Sequence, residues 1–251
     1  MAKTKLRCVV KIILICIFIG AALYSLWYAS TPWRFSLEKS AQIREDVRDF
    51  MQVTEASRAE TAEETREIPY QELWDLLVAY NEEIFIDEQS DLNSSQAYSN
   101  FQIDFREYGL KSDAFAVLTI PKIDLEMPVY IGASNGNLAN GAAVLSQTSV
   151  PIGGENTNSV ISGHRGWNGY KYFMDVPKLE PGDEVYITNP WETLKYRVFE
   201  IKIVDPSDIK SILIRPGRDI LTLLTCHPPS SGGRYRFLVF CERADDAAER
   251  T

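Results

Sequence analysis

From Ile12 to Tyr28 the chain reads IILICIFIGAALYSLWY without a single charge, and this run restricts the fold more than any other stretch. With Cys8, Val9 and Val10 ahead of Lys11, it reaches the roughly 20 residues that a helix needs to cross a hydrocarbon layer of about 30 Å. One membrane-spanning helix is therefore expected. The residues around Ser25, Trp27, Tyr28 and Ala29 offer no small-x-small cleavage site, and the run is long for the apolar part of a signal peptide, so the anchor should stay in place. Lys3, Lys5, Arg7 and Lys11 crowd its N-terminal side, which keeps the N-terminus cytosolic and sends everything after Trp33 to the extracellular side.

The remainder is long enough for one domain and an appendage, and the chain as a whole is 45% apolar and 24% charged. A net charge of −9 argues against nucleic acid as a partner, since a phosphate backbone needs a basic patch. Between Ser36 and about Ser57, Leu37, Ile43, Val47, Phe50 and Met51 recur at helical spacing, which predicts an amphipathic helix just outside the membrane. The next stretch, EASRAETAEETRE, has no apolar face and reads as a solvated helix end or linker. Pro69 opens a second helix with Leu73, Leu76, Leu77, Tyr80 and Ile84 on one stripe, and the polar stretch from Asp87 to Asn100 reads as a loop.

After Asp113 the period changes from helical to alternating. Seven short runs rich in Val, Ile, Tyr and Phe (AFAVLTI, MPVYI, NSVIS, DEVYIT, LKYRVFEIKIV, DILTLLT and YRFLVF) are separated by Gly, Pro and Asn, with a short helix expected only around Lys171 to Val176. So many short strands in a mainly β domain predict a closed β-barrel of seven to eight strands, behind N-terminal helices and one transmembrane helix. The chain divides into a cytosolic end and anchor (1–30), a membrane-proximal helical extension with its loop (31–112), the barrel (113–243) and a polar tail (244–251).

Chemistry concentrates in few residues. The chain has two histidines; His164 sits in SGHRG at the exit of the strand NSVIS, and His227 follows Cys226 in TLLTCHP. Cys226 ends an apolar strand before Pro228 and Pro229, a position exposed enough for a nucleophile. Cys241 lies inside a strand pattern, and no disulfide between the two is expected. Arg234 and Arg236 stand two apart in RYRFLVF and should share one strand face, opposite Phe237 and Val239. His227, adjacent to the thiol in sequence, should point to the other face and serve as a turn residue. No ligand spacing such as CxxC is present, so neither metal nor other cofactor is expected. A strand-end Cys, a strand-exit His and a strand Arg suit acyl transfer by a thiolate.

These segments carry a resemblance. From about Ala116 to Arg243, LTIPKIDLEMPVYIG, LANGAAVL, SVPIGGENTNSVISGHRG, DILTLLTCHP and RFLVF resemble a sortase, and most of all the class C sortases that polymerise pilins. The resemblance implies Cys226 as nucleophile, His164 as acid/base and Arg236 as stabiliser of substrate and oxyanion, with Thr225 and Arg234 as secondary candidates. Arg236 is preferred because the family's arginine directly precedes an apolar run. The implied substrate is an LPxTG-like sorting signal, and the implied acceptor is the amine of a pilin lysine, or alternatively that of a peptidoglycan cross-bridge in a cell-wall-anchoring enzyme. A non-catalytic membrane protein whose barrel binds a peptide is the reading from another class. Two features depart from class C: no Asp-Pro-aromatic lid triplet occurs between Ile86 and Phe105, and the chain ends in ERADDAAERT without a second membrane helix. The thiol is therefore expected to lack that shield.

Overall fold

The computed structural model describes residues 2–64, 68–93 and 103–244. Helix α1, Ala2–Glu64, runs without a break from the apolar segment through Pro32 into the amphipathic stretch. The two separately expected helices are one. Its upper half buries Ile43, Val47 and Phe50 at the spacing of one helical face, and Val47 and Phe50 pack on Ala114, Val117 and Tyr130 of the barrel. Tyr130 donates its hydroxyl to Asp46 at 3.0 Å. Helix α2, Gln71–Ile86, buries Leu73, Leu77 and Ile84. It also buries Asn81, whose side-chain amide pairs with both backbone groups of Val150, donating at 3.2 Å and accepting at 2.8 Å. The buried amide thus satisfies the loop backbone at Val150 instead of standing unpaired.

The barrel strands are β1 (Ala116–Ile120), β2 (Leu125–Ile131), β3 (Ala142–Val144), β4 (Thr157–Ser162), β7 (Glu184–Thr188), β8 (Thr193–Val204), β9 (Asp219–His227) and β10 (Tyr235–Arg243), closing in the order β1-β2-β3-β4-β9-β10-β8-β7. β5 (Arg165–Trp167) and β6 (Tyr170–Tyr172) form a hairpin of their own outside the barrel, and the short helix α3 spans Asn135–Asn140. The helix expected near Lys171 to Val176 is instead the end of this hairpin followed by a 3-10 turn at Val176–Lys178. The tight hairpin follows from Asn168-Gly169, whose φ values of 48° and 86° suit the two central residues of a type I′ turn.

Strand alternation sorts side chains into two cores. On β10, Phe237, Val239 and Cys241 face the main core, while Leu238 and Phe240 join a second cluster with Ala143, Leu145, Val160 and Ile220. The stretch read as a polar loop after α2 begins in order: Gln89 donates to the Gln147 carbonyl at 3.0 Å and accepts from the Ile214 N–H at 2.6 Å. Leu92, in a 3-10 turn at Ser90–Asn93, is buried in that second cluster. Tyr98 and Phe101, the rings that an improvised lid over the thiol could use, lie outside the described residues.

Candidate active site

The position of the site follows from one parallel pairing. β4 and β9 run the same way with Ser162 opposite Leu224, so two further residues along each chain bring His164 to the level of Cys226. The Gly163 N–H continues the ladder by donating to the Leu224 carbonyl at 3.1 Å. On the other side of β9, antiparallel β10 sets Arg236 directly opposite Cys226. Cys226 and Arg236 share the face of Leu224 and Leu238, and with His164 they line a cleft of about 200 Å³. The Arg236 Nη1 stands 3.9 Å from the Cys226 Sγ and donates to the Gly233 carbonyl at 2.8 Å. A Cβ on Gly233 would lie 2.9 Å from that nitrogen, so glycine leaves the guanidinium its place.

Cys226 is half-buried and a free thiol. Cys241 is also free but wholly buried, and burial pushes its thiol far above the ordinary range. His164 is half-buried, and loss of water around the ring lowers its pKa. The imidazole lies between Trp167, with centroids 5.3 Å apart, and Tyr172, at 5.6 Å edge-on. Burial first, and then its neighbour Tyr170, push the Tyr172 hydroxyl up to about 12, so it remains a donor and bonds the Ala139 carbonyl at 2.8 Å. The His164 carbonyl accepts from the Phe173 N–H at 2.9 Å. Behind it, a Cβ on Gly163 would stand 2.7 Å from the Phe173 ring, which explains the glycine before the histidine.

The remaining candidates point elsewhere. Thr225 is buried on the opposite face of β9 and donates its hydroxyl to the Gly163 carbonyl at 2.8 Å. Arg234 does not share a strand face with Arg236. It is exposed before the start of β10, where Gly232 and Gly233, both at positive φ, turn the chain back. His227 is the last residue of β9 instead of a turn residue, and its ring packs on Phe237 at 5.7 Å, away from the cleft.

Arg165 is the residue that motif reading passed over. Its Nη1 donates to the Cys226 carbonyl at 3.3 Å and meets the His227 Nδ1 at 3.1 Å, with the guanidinium 5.9 Å from the Phe237 ring centre. Because a guanidinium can only donate, the His227 Nδ1 is the acceptor in this contact. The signal was present in SGHRG, as a charge adjoining the histidine at a strand exit. Across the cleft, Asp205 has its carboxyl held below the usual range, chiefly by the Ser207 hydroxyl and N–H, with Arg236 adding to the effect.

A larger cavity of about 680 Å³ lies between α2 and the barrel, lined by Trp74, Val78, Phe85, Asp219 and Arg243 among others. Asp219 starts β9 and Cys226 nearly ends it, so the two sites are roughly 23 Å apart at about 3.3 Å per residue. The larger cavity has neither a thiol nor an imidazole in its lining.

Comparison with known proteins converges on one family. A family model described as the sortase domain matches residues 118–244. Sortase D of Bacillus subtilis (strain 168) is 30% identical over 132 residues, 52% of this chain and 64% of the relative. Sortase A of Streptococcus agalactiae serotype III is 29% identical over 120 residues, 47% of this chain and 48% of the relative. The match to these curated relatives thus spans about half to two thirds of their own length. Among solved structures, sortase C1 of GBS pilus island 1 superposes with a TM-score of 0.66 at 28% identity, over 80% of this chain and 98% of that one. A pilus-related sortase C of Group B Streptococcus gives 0.56 at 31% identity, over 69% of this chain and 92% of that one.

Proposed function

The chain belongs to the sortase family, and on that premise we propose that it is a membrane-anchored cysteine transpeptidase acting through Cys226, His164 and Arg236. The observation that carries the reading is the 3.9 Å approach of the Arg236 guanidinium to the Cys226 Sγ, in a cleft that His164 also lines. In the proposed reaction the Cys226 sulfur, as thiolate, attacks the threonine carbonyl of an LPxTG-like signal. Arg236 faces the oxyanion with a charge that needs no proton. The S–C bond forms, the C–N bond to glycine breaks, and the protonated His164 gives its proton to the departing amine. An incoming amine then attacks the thioester, passes a proton back to the imidazole, and leaves with the acyl group while sulfur departs as thiolate. Burial keeps His164 mostly neutral near pH 7, so turnover depends on a minority imidazolium population.

The acceptor in this reading is a pilin lysine. Support comes from the pilus sortases among the structural neighbours and from their near-complete coverage. Ile12–Tyr28 serves as a membrane anchor, with the N-terminus cytosolic and the barrel outside; α1 is long and apolar enough to cross a membrane. The test is to mix the full chain in detergent with an LPxTG peptide and either a pilin-derived lysine peptide or a cross-bridge peptide. Ligation to the lysine peptide that outruns hydrolysis supports the proposal. Ligation only to the cross-bridge peptide moves the function to wall anchoring, and binding without cleavage ends the enzyme reading.

A further inference from the structure

The β5–β6 hairpin lies against α1 where the apolar segment ends. At its tip Gly169 comes so close to α1 that a Cβ there would stand 2.6 Å from the Pro32 carbonyl oxygen. Beside it Trp167 packs edge-on against Phe35, with centroids 5.8 Å apart. From there α1 climbs the barrel: Lys39 reaches Asn140, Asp46 reaches Tyr130, and Arg58 donates to the carbonyls of Asn189 and Pro190 at 2.6 and 3.1 Å. Pro32 to Arg58 is about 39 Å of helix at about 1.5 Å per residue. The barrel therefore stands with its hairpin and Cys226 end toward the apolar segment and its Asn189 end far from it.

Pro32 lies one helical turn, about 6 Å, beyond Tyr28. The headgroup region on each side of a bilayer is roughly 5–8 Å deep, taking the difference between the full and hydrocarbon thicknesses. The hairpin tip falls in that layer. Two large apolar side chains there remain open to solvent: Trp33 at 67% and Trp167 at 42% exposure. Arg34, beside Trp33, is exposed as well. Tryptophan with a wet edge and an apolar body is the side chain that favours the interface, and an arginine beside it meets lipid phosphate.

We propose that the β5–β6 hairpin is a membrane-contact element, whose Trp167 rests with Trp33 in the phospholipid headgroup layer and holds the Cys226 cleft at the membrane surface. The occupant of this patch is phospholipid, because the patch continues the surface of the helix that enters the bilayer. The proposal rests on Ile12–Tyr28 spanning that bilayer. It does not depend on which amine the enzyme uses.

The test uses the full chain in phosphatidylcholine/phosphatidylglycerol vesicles, with acyl chains brominated either near the headgroup or at mid-chain. Subtracting the emission of Trp167→Phe from that of wild type isolates Trp167, and Trp27→Phe isolates Trp27 inside the apolar run in the same way. The expected result is at least twofold quenching of Trp167 by shallow bromines and of Trp27 by mid-chain bromines. Quenching of Trp27 with none of Trp167 overturns the proposal and leaves the anchor standing; quenching of neither overturns the anchor as well. Hydrogen exchange covers the case of weak Trp167 emission: residues 166–170 should exchange at least fivefold more slowly in lipid nanodiscs than in amphipol, and equal rates overturn the proposal. Protection that appears only at high protein-to-lipid ratio identifies a second copy of the chain as the occupant and overturns it too.

Discussion

Cys226 and Cys241 are the same residue in two environments, one at a strand end beside a guanidinium and one sealed in the core with its thiol pKa raised by burial. Cys226→Ala should abolish cleavage and ligation, while Cys241→Ala should keep most activity; a peptide cleavage assay on both variants decides. Loss of an oxyanion donor typically costs about 10²–10³ in rate, so Arg236→Ala should fall that far and Arg234→Ala, outside the cleft, much less. The opposite order would move the role to Arg234. Burial lowers the His164 pKa, so the group loses its proton at lower pH than a free imidazole. The acid limb of kcat/KM should therefore lie below about 6.5, and Trp167→Ala, which opens the ring to water, should move it upward. A wild-type limb at or above 6.5 would contradict this assignment. That His164, Cys226 and Arg236 line one cleft was legible because the cysteine and the histidine sit at strand ends and the resemblance singled out Arg236 over Arg234. Arg165 was not, because its partners are a backbone carbonyl and a ring that only the β4–β9 register brings near.

At the scale of elements, Gly163 is the tightest joint. Gly163→Ala must displace the Phe173 ring and should cost about 1–3 kcal/mol, as overpacked cores do, with Phe173→Leu restoring part of the loss; thermal unfolding of the two single variants and the double variant measures this. Along α1, Phe50 is fully buried against the barrel. Phe50→Ala should cost about 3–5 kcal/mol, a fall in Tm of roughly 10 °C for a chain of this size. An unchanged Tm would mean that the helix does not bear on the barrel in solution. The long strands were readable from their alternation. β3 was missed because Ala142–Val144 is too short to alternate, and β6 because the aromatics of Tyr170–Tyr172 fall as readily on a helical stripe. The single α1 was also hidden, since the uncharged apolar run and the amphipathic stretch differ in pattern and read as two helices, whereas the structure carries one helix straight through Pro32.

At the scale of the whole molecule, the Cys226 cleft is bordered by barrel strands and the segment leading into the 3-10 turn at Ile209–Ile212, and among the described residues none from 87 to 93 lines it. Deleting residues 94–100, which keeps the anchors Gln89 and Leu92, should leave the rate at which a bulky reagent labels Cys226 nearly unchanged. A rise of about tenfold, which is 1.4 kcal/mol or so of protection, would show that this segment is a lid. The parallel pairing of β4 with β9 has a further consequence, for the order in which the chain acquires its chemistry. That pairing joins positions 62 apart, and such non-local closure comes late, because the loop entropy is lost before the contacts form. Until the barrel closes, the imidazole and the thiol belong to separate parts of the chain, and a nascent molecule carries an ordinary cysteine. Reactivity is thus withheld from the chain until folding has finished.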